Sequence, residues 1–474
     1  MTVDRQFPNP AKHRLRAAAA NSSRRAGVLD RRSLLKAGAG AAGGLGLFGP
    51  SALPLISPRS AAAQDAPLTF WQFYAPGGQV ASQATWFEAC VAGWNAENDR
   101  QVELVFVPNG DYMDGTKLPT AFASGEGPDI FIISPGDFLR YYNGGVIQDL
   151  TPFMEQEARD DFFPDVLASR VVDDKVFGLP MEVEPMAMYY SLAAWDEAGL
   201  TDSDIPTTWE QLLEVGQQLT TDQRFGVLFE TSPGYYQNFT WYPFMWQGGA
   251  EIQNPDSNTS GMRDPGAVQA LKFWQDAVNM GVSPRTVLGG GAWDVVPNLS
   301  TGYCAIQNVG IWAISALKEN APDFEYGIFK LPTPEGGKYS TDLGGWAFVA
   351  NSQGQDPETA AQFVVWALGS MSEDSIQRGV DWCTKAKSDM APRKSVQDLA
   401  VEQGGFGSGP LQQFAEEILP GGRGEPRVTP EIYKSISDAI QAAQLNGTDS
   451  EQAAEQAATE IEAYLATYTG APIL

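Results

Sequence analysis

The spacing of apolar and polar residues changes repeatedly in the first third of the chain, and each change predicts a new element. Residues 68–74 form an aromatic and apolar run that predicts a strand. From 81 to 98 the large apolar residues recur three and four positions apart, which is the spacing of a helix. A second strand is predicted at 102–107, and a short helix at 118–123 leads to a third strand at 130–133. This order predicts an α/β fold with a parallel, helix-covered sheet, whose ligand loops lie at the carboxyl ends of the strands.

The segment at 178–191 departs from both spacings. It is apolar, but Pro180 and Pro185 remove backbone donors and disfavour a helix. Glu182 and Glu184 also lie in it, and a buried strand would carry such charges only if they were paired. We therefore predict an extended segment that crosses between two lobes and turns one face towards a cleft.

Short strands and longer helices alternate in the remainder of the chain. A glycine pair interrupts the run at 342–349, which predicts a bend or a close backbone approach within that strand. Thr207 or Thr208 is the expected cap of the helix that begins near 209. The other predicted strands are at 226–229, 302–306 and 326–329, and the other predicted helices are at 192–199, 357–368, 430–445 and 450–468.

Size and charge limit the classes of protein to which this chain can belong. With 474 residues it is too long for a single core, and its 43% hydrophobic and 19% charged residues are ordinary for a soluble globular protein. The formal net charge is −27, but residues 1–63 hold 10 of the 31 basic residues and 2 of the 58 acidic ones. The remainder carries 21 basic and 56 acidic residues, a net charge of −35. Because phosphate binding requires clustered Lys and Arg, we exclude nucleic acid as a partner.

The distribution of histidine and cysteine excludes several kinds of catalytic and metal site. His13 is the only histidine, and it lies in the basic leader. The body therefore lacks the imidazole of a Ser–His or Cys–His nucleophile pair or of a His-ligated metal, and we expect no metal. Cys90, Cys304 and Cys383 lie far apart and form no Cys-x-x-Cys pair, which excludes a zinc cluster. One disulfide and three separate buried thiols are both compatible with this spacing.

The first 63 residues have the three parts of a secretory signal. Arg31 and Arg32 precede a Gly/Ala-rich apolar run at 37–56, and three alanines follow at 61–63. The paired arginines resemble the twin-arginine type, so we expect export to the periplasm or another extracytoplasmic space. A disordered basic tail followed by a membrane anchor is the alternative, although Gly and Pro make the run a poor span. No cysteine directly follows it, so a lipoprotein anchor is not expected.

Seven short motifs follow one another in the body of the chain. They are Ala123-Ser-Gly-Glu-Gly-Pro-Asp-Ile130, Gln148-Asp-Leu-Thr-Pro152, Phe177-Gly-Leu-Pro180, Met188-Tyr-Tyr190, Pro206-Thr-Thr-Trp-Glu210, Val309-Gly-Ile-Trp312 and Leu343-Gly-Gly-Trp-Ala-Phe348. In their order and spacing, residues 66–470 resemble the extracellular solute-binding proteins of family 1, the maltose-binding-protein-like, sugar-binding components of bacterial ABC importers. Ser191 departs from the pattern, because these proteins usually have asparagine there, and we expect it to affect local packing only.

The resemblance implies a two-lobed periplasmic-binding-protein fold that hinges shut on a ligand in a cleft between the lobes. Lobe one would comprise residues 66–185 and 343–391, and lobe two residues 186–342 and 392–474. The family also implies a monomeric binding protein, not an enzyme, that needs no cofactor and delivers a sugar or oligosaccharide to a membrane permease. Within the range of ligands that this fold binds, the acidic body and few loop arginines argue against a phosphate.

The candidate ligand-binding residues follow from saccharide chemistry and from likeness to the family. Aromatic rings pack against the C–H face of a sugar, and polar groups must pair with its hydroxyls. The chain has 13 Trp, 15 Tyr and 24 Phe, and its densest aromatic segment is 235–246. The candidates are Tyr74, Asp137, Glu184, Tyr236, Asn238, Trp241, Trp312, Gly345, Trp346 and Arg393.

Each of these assignments has an alternative. Core packing would account for the aromatic residues, a surface salt bridge for Glu184 and a helix cap for Asp137. A secreted glycoside hydrolase also uses aromatic platforms, but needs two carboxylates about 5–10 Å apart that flank the cleaved bond. A metal-binding or amino-acid-binding protein of similar architecture is a third hypothesis, and the lack of histidine in the body argues against a transition metal.

Overall fold

The computed structural model describes residues 66–113, 116–254 and 259–474, so the predicted leader with His13, Arg31 and Arg32 lies outside the described residues. Within them the strands are β1 (Leu68–Gln72), β2 (Val102–Phe106), β3 (Ile130–Ile133), β4 (Val171–Val172), β5 (Lys175–Val176), β6 (Leu179–Pro180), β7 (Glu184–Ser191), β8 (Phe225–Leu228), β9 (Gln253–Asn254), β10 (Thr259–Ser260), β11 (Cys304–Gly310), β12 (Tyr326–Phe329), β13 (Thr341–Gly344), β14 (Ala347–Ala350) and β15 (Gly422–Gly424).

The α-helices cover both sheets and fill the chain between the strands. They are α1 (Ala81–Glu97), α2 (Asn109–Met113), α3 (Lys117–Ser124), α4 (Phe138–Asn143), α5 (Gln156–Asp161), α6 (Pro164–Leu167), α7 (Leu192–Glu197), α8 (Trp209–Leu219), α9 (Tyr235–Gln247), α10 (Pro265–Asn279), α11 (Ala313–Asn320), α12 (Pro357–Leu368), α13 (Glu373–Asp381), α14 (Lys394–Glu402), α15 (Gly409–Gln413), α16 (Pro430–Gln444) and α17 (Ser450–Leu465). Among the described residues, no helix combines the length and apolar character that a membrane crossing requires.

The first sheet has five strands in the order β2-β1-β3-β14-β6. β1 is parallel to β2 and β3, as the sequence pattern predicts, whereas β14 is antiparallel to both of its neighbours. Phe70 of β1 is fully buried, and its ring makes edge-on contacts with Phe87, Phe348 and Phe363 at centroid distances of 5.7, 4.8 and 5.7 Å. Because Phe87 belongs to α1 and Phe363 to α12, these contacts hold both helices on the sheet.

The second sheet is organised around β7. Its order is β15-β13-β7-β11-β8, with β12 also paired to β7, and β7 is antiparallel to β11, β12 and β13. All eight residues of β7 are buried. Residues 181–183 therefore connect β6 of the first sheet to β7 of the second, which confirms the predicted crossing and the two-lobed α/β architecture.

The prediction of a single strand at 342–349 is wrong, whereas the close backbone approach predicted at its glycine pair is confirmed. β13 ends at Gly344 in the second sheet, and β14 begins at Ala347 in the first, so the glycine pair is a second crossing. Gly345 has a φ of +126°, and an added Cβ would lie 2.6 Å from the carbonyl oxygen of Glu182. Only glycine combines that backbone conformation with so close an approach. β11 is also longer than predicted and includes 308–310, because it pairs with β7 as far as Gly310.

The threonine cap predicted for the helix that begins near 209 is confirmed. The hydroxyl of Thr208 accepts a hydrogen bond from the backbone N–H of Gln211 and caps α8. Ser191 has the same role at α7, where its hydroxyl accepts from the backbone N–H of Ala194 at 3.3 Å. The three cysteines are buried free thiols.

Candidate functional site

A cavity of about 490 Å³ lies where the two sheets face each other. The loops that follow β1, β2 and β3, together with Gly345 and Trp346 of the second crossing, line one side. The start of β7, the first turns of α9 and residues Trp293 and Trp312 line the other. Both lobes therefore contribute to the cavity, and such interfaces are common places for small-molecule sites.

Aromatic rings form much of the cavity wall. The contributing residues are Phe73, Tyr74, Phe106, Tyr235, Tyr236, Phe239, Trp293, Trp312 and Trp346.

Trp312 is held in a defined orientation at this wall. Its indole N–H donates to the carbonyl oxygen of Trp293 at 3.1 Å, and its ring centroid lies 6.1 Å from that of Tyr236 and 6.3 Å from that of Phe239. An added Cβ at Gly310 would lie 1.9 Å from the Trp312 ring. The glycine two residues before the tryptophan is therefore what allows the indole to fold back over the end of β11.

The floor of the cavity is a buried cluster of charged side chains. The ammonium of Lys387 lies 3.0 Å from Glu182 Oε1 and 3.2 Å from Asp389 Oδ2, and it also contacts Glu184 Oε1. Its Nζ donates to the Tyr74 hydroxyl at 3.3 Å. Of these five residues, Tyr74, Glu184 and Lys387 line the cavity, so they are the part of the cluster that faces a ligand.

Burial and mutual repulsion set the protonation of this cluster. Burial raises the pKa of Glu184 to about 7; the Lys387 ammonium opposes this rise, and the charge of Glu182 adds to it. Burial also raises the pKa of Asp389 well above its ordinary value. Burial alone would lower the pKa of Lys387, but the three carboxylates hold it well above its ordinary value. Lys387 therefore stays charged, whereas Glu184 titrates near neutral pH.

The three carboxylates have a spacing that could hold a metal ion. Oxygens of Glu182, Glu184 and Asp389 all lie within 4.8 Å of one another. The Lys387 ammonium contacts all three of these residues, so a cation of the protein itself already neutralises part of their charge.

The cluster also joins the segments that pass between the lobes. Val183 and Met390 exchange two backbone hydrogen bonds, of 2.9 and 3.1 Å, and the N–H of Met181 donates to the carbonyl oxygen of Trp346 at 2.9 Å. Glu182 Oε1 accepts from the backbone N–H of Trp346 at 3.1 Å, and its Oε2 accepts from the indole N–H of Trp382 at 2.5 Å. The charged floor is thus built where the crossing segments meet.

The structure brings six of the ten candidate residues together and places four elsewhere. Tyr74, Glu184, Tyr236, Trp312, Gly345 and Trp346 line the cavity.

The other four candidates do not line the cavity. Asn238 is buried and donates to the carbonyl oxygen of Tyr433 at 2.7 Å, and Trp241 is fully buried in the core of the second lobe. Asp137 makes no cap hydrogen bond and instead accepts from Arg140 at 3.2 Å. Arg393 is buried and paired with Asp161 at 2.7 Å.

Helix geometry explains why some residues of the aromatic segment line the cavity and others do not. Residues 235–247 form α9, with Pro243 inside it. Tyr235, Tyr236 and Phe239 reach the cavity, whereas Asn238 and Trp241 point to the lobe interior. Residues two and five positions after Tyr236 lie on other faces of a helix, so the spacing would have distinguished them once the segment was known to be helical.

Lys387 and Trp293 are the principal cavity residues that sequence reasoning missed. Trp293 follows a glycine-rich stretch at 289–291, which was the available signal. Lys387 is a single lysine in a segment with no family motif, and only its burial at 4% exposure beside three carboxylates distinguishes it. Such a contact between distant segments has no local pattern.

Comparisons with known proteins agree with this architecture. Residues 77–373 match the family model for the bacterial extracellular solute-binding protein. The arabinooligosaccharide-binding protein of Bacillus subtilis is 28% identical over 325 residues, which cover 64% of this chain and 69% of that protein. The galactooligosaccharide-binding protein of the same organism is 24% identical over 376 residues, covering 78% and 84% respectively. A solved ABC transporter solute-binding protein from Thermotoga lettingae, bound with α-D-tagatose, shares the fold with a TM-score of 0.71 at 20% identity, over 84% of this chain and 99% of that one.

Proposed function

Because the chain belongs to the bacterial extracellular solute-binding proteins, we propose that it binds a sugar or oligosaccharide between its lobes and delivers it to the permease of an ABC importer. One observation carries this proposal: aromatic rings from both lobes surround a cavity whose floor presents Glu184 and Tyr74. Rings suit the C–H faces of a saccharide, and the carboxylate and hydroxyl suit its hydroxyl groups. The names of the two Bacillus subtilis relatives support an oligosaccharide as the ligand class.

The proposed ligand-binding set is Tyr74, Glu184, Tyr236, Trp312, Gly345 and Trp346, with Lys387 and Trp293 added. We propose lobe one at 66–185 and 343–391 and lobe two at 186–342 and 392–474. The change of sheet at 181–183 and again between Gly344 and Ala347 supports two of the crossings. In this proposal the lobes close on the ligand, and the monomer presents the closed form to the permease.

Export by a twin-arginine signal at 1–63, without a lipid anchor, completes the proposal. Its support is the Arg31–Arg32 pair before the apolar run and the three alanines after it.

A non-catalytic role is proposed over glycoside hydrolysis for a geometric reason. Hydrolysis needs a pair of carboxyl groups on opposite sides of the scissile bond. Among the described residues that line the cavity, Glu184 is the sole carboxylate, and Lys387 contacts it directly.

The test is a thermal-shift screen against a saccharide library, followed by product analysis on each saccharide that stabilises the protein. Ligand binding raises the free energy of unfolding by RT ln(1 + [L]/Kd), so even modest binders shift the melting temperature. We expect stabilisation by one or more saccharides and no product. Turnover of a stabilising saccharide would favour the hydrolase, and no stabilisation across the library would contradict saccharide binding.

A further inference from the structure

The charges at the floor of the cavity are unequal in number. Glu184 and Lys387 are the charged residues among the described residues that line it. Glu182 and Asp389 lie directly behind them, both fully buried, so one ammonium is shared by three carboxyl groups. A proton on one of these groups would reduce the excess negative charge but would not reverse it.

The ammonium of Lys387 is surrounded by oxygens of the protein. An ammonium has three N–H donors. Four oxygens surround Lys387 Nζ: Glu182 Oε1 at 3.0 Å, Asp389 Oδ2 at 3.2 Å, the Tyr74 hydroxyl at 3.3 Å and Glu184 Oε1 in direct contact. A ligand carboxylate or phosphate that approached this ammonium would also approach the carboxyl groups that surround it.

The buried groups around the floor do not supply another cation. Arg170 lies beneath the second crossing, where its guanidinium donates to the carbonyl oxygens of Gly345 at 2.6 Å and Val166 at 3.0 Å. It is 2% exposed and does not line the cavity. Glu425 is also buried; burial raises its pKa to about 8, and the charge of Arg170 opposes this rise. Arg170 and Glu425 therefore leave Lys387 as the one cation among the described residues that line the cavity.

We propose that the Lys387–Glu184 pair selects ligands by charge: the cleft accepts uncharged saccharides and those that carry an amine, and rejects those that carry a carboxylate or phosphate. This proposal rests on the proposed saccharide binding. An anion in the closed cleft would face Glu184 across a medium of low dielectric constant, where like charges repel strongly, and Lys387, the one cation among the described lining residues, is already shared by three carboxyl groups. An amine instead adds a second cation to a site with three carboxyl groups.

Matched pairs of disaccharides test the proposal by calorimetric titration at pH 8. The probes are maltose, cellobiose and galactobiose, each beside the uronic acid made by oxidising C6 to a carboxylate, and each beside its 2-amino-2-deoxy counterpart. A carboxylate is close in size to the CH₂OH group that it replaces. We expect every uronic acid to bind at least about tenfold more weakly than a neutral partner that binds, and the amine to bind at least as tightly as that partner.

Equal or tighter binding of the uronic acid would overturn the charge selection and leave saccharide binding intact. If no neutral, acidic or amino disaccharide bound, the proposed function would be contradicted and the charge selection with it. These two failures are therefore distinguishable.

Two variants test whether the charge of Glu184 or the shape of the cavity causes the rejection of acidic saccharides. Glu184→Gln removes the lining carboxylate but keeps its size, and we expect it to reduce the neutral-to-acid affinity ratio by about threefold or more. Glu214→Gln makes the same change of charge at an exposed position on α8 and should leave the ratio unchanged. A ratio that stayed the same in Glu184→Gln would assign the rejection to shape and overturn the role of Glu184. The titrations of neutral, acidic and amino disaccharides on the wild-type protein test the charge selection without either variant.

Discussion

Lys387 and Glu184 form a buried ion pair at the floor of the cleft, although 203 residues separate them in the chain. β7 supplies the glutamate, and the segment that follows the single turn at 382–386 supplies the lysine. The backbone pairing of Val183 with Met390 brings the two segments side by side. The charge of the cleft floor therefore depends on the geometry of the segments that cross between the lobes.

Replacing Trp312 by Ala should weaken binding of a stabilising saccharide by about 1–3 kcal/mol, because a ring that packs against the sugar is lost. Calorimetric titration measures the dissociation constant, and circular dichroism checks the fold. The control is Trp366→Ala on α12, a half-buried tryptophan that stacks on Arg378 and does not line the cavity. This control should lower the melting temperature without changing affinity. An unchanged dissociation constant in Trp312→Ala would leave Trp312 a packing residue only.

The affinity for an uncharged saccharide should fall as the pH drops through about 7, where Glu184 gains a proton. Burial raises the pKa of this carboxyl group above its ordinary value, so the ionised form predominates only above about 7. The ionised form accepts the stronger hydrogen bond from a ligand hydroxyl. Titrations from pH 5.5 to 8.5 measure the profile, and Glu184→Gln should flatten it. A profile that is equally steep in Glu184→Gln would assign the titration to another group.

Replacing Lys387 by Met should lower the free energy of unfolding by about 3–5 kcal/mol, because three buried carboxyl groups lose their shared cation. Without that cation the pKa values of Glu184 and Asp389 rise further, so the folded protein holds protons more tightly and the deficit should shrink on acidification. Urea unfolding at pH 5 and pH 8 measures both effects. Lys385→Met is the matched control, because Lys385 pairs with Asp381 at the exposed surface. A similar loss of stability in both variants would contradict the role given to Lys387.

Replacing Glu425 by Gln should stabilise the protein at alkaline pH. Glu425 is 3% exposed, its Oε1 accepts from the backbone N–H of Gly136 at 3.2 Å, and burial raises its pKa to about 8. The folded state thus holds the proton more tightly than the unfolded state, so wild-type stability falls as pH rises from the ordinary glutamate value through about 8. We expect Glu425→Gln to exceed wild type by about 1–3 kcal/mol at pH 9 and to match it near pH 5, measured by urea unfolding. If the free energies of unfolding of Glu425→Gln and wild type changed in parallel with pH, this prediction would be wrong.

Replacing Arg31 and Arg32 by Lys should leave uncleaved precursor inside the cell, because the twin-arginine route requires the arginine pair. Immunoblots of cytoplasmic and exported fractions measure the distribution. The same change at Arg24 and Arg25, an arginine pair seven residues earlier, is the control and should leave export unchanged. Normal export of the Arg31/Arg32 variant would remove the twin-arginine assignment.

The elements of the fold were largely predictable because their signals are local. The strand at Tyr326–Phe329 and the helix at Pro357–Leu368 have the bounds that the residue pattern predicts. The run at 342–349 was mistaken for one strand, because nothing local shows that its two halves join different sheets. The candidate site was less predictable. Tyr236 and Trp241 have similar surroundings in the sequence, but only Tyr236 faces the cavity.

By itself, the sequence determined the α/β class, the crossing at 178–191, the acidic body without imidazole and the supply of aromatic residues for a cleft. Only the tertiary structure decided which aromatic rings line that cleft and that Lys387 lies among Glu182, Glu184 and Asp389. The physical reason is that periodicity and capping act over a few residues. Burial, and the protonation that burial imposes, depend on which distant segments pack together.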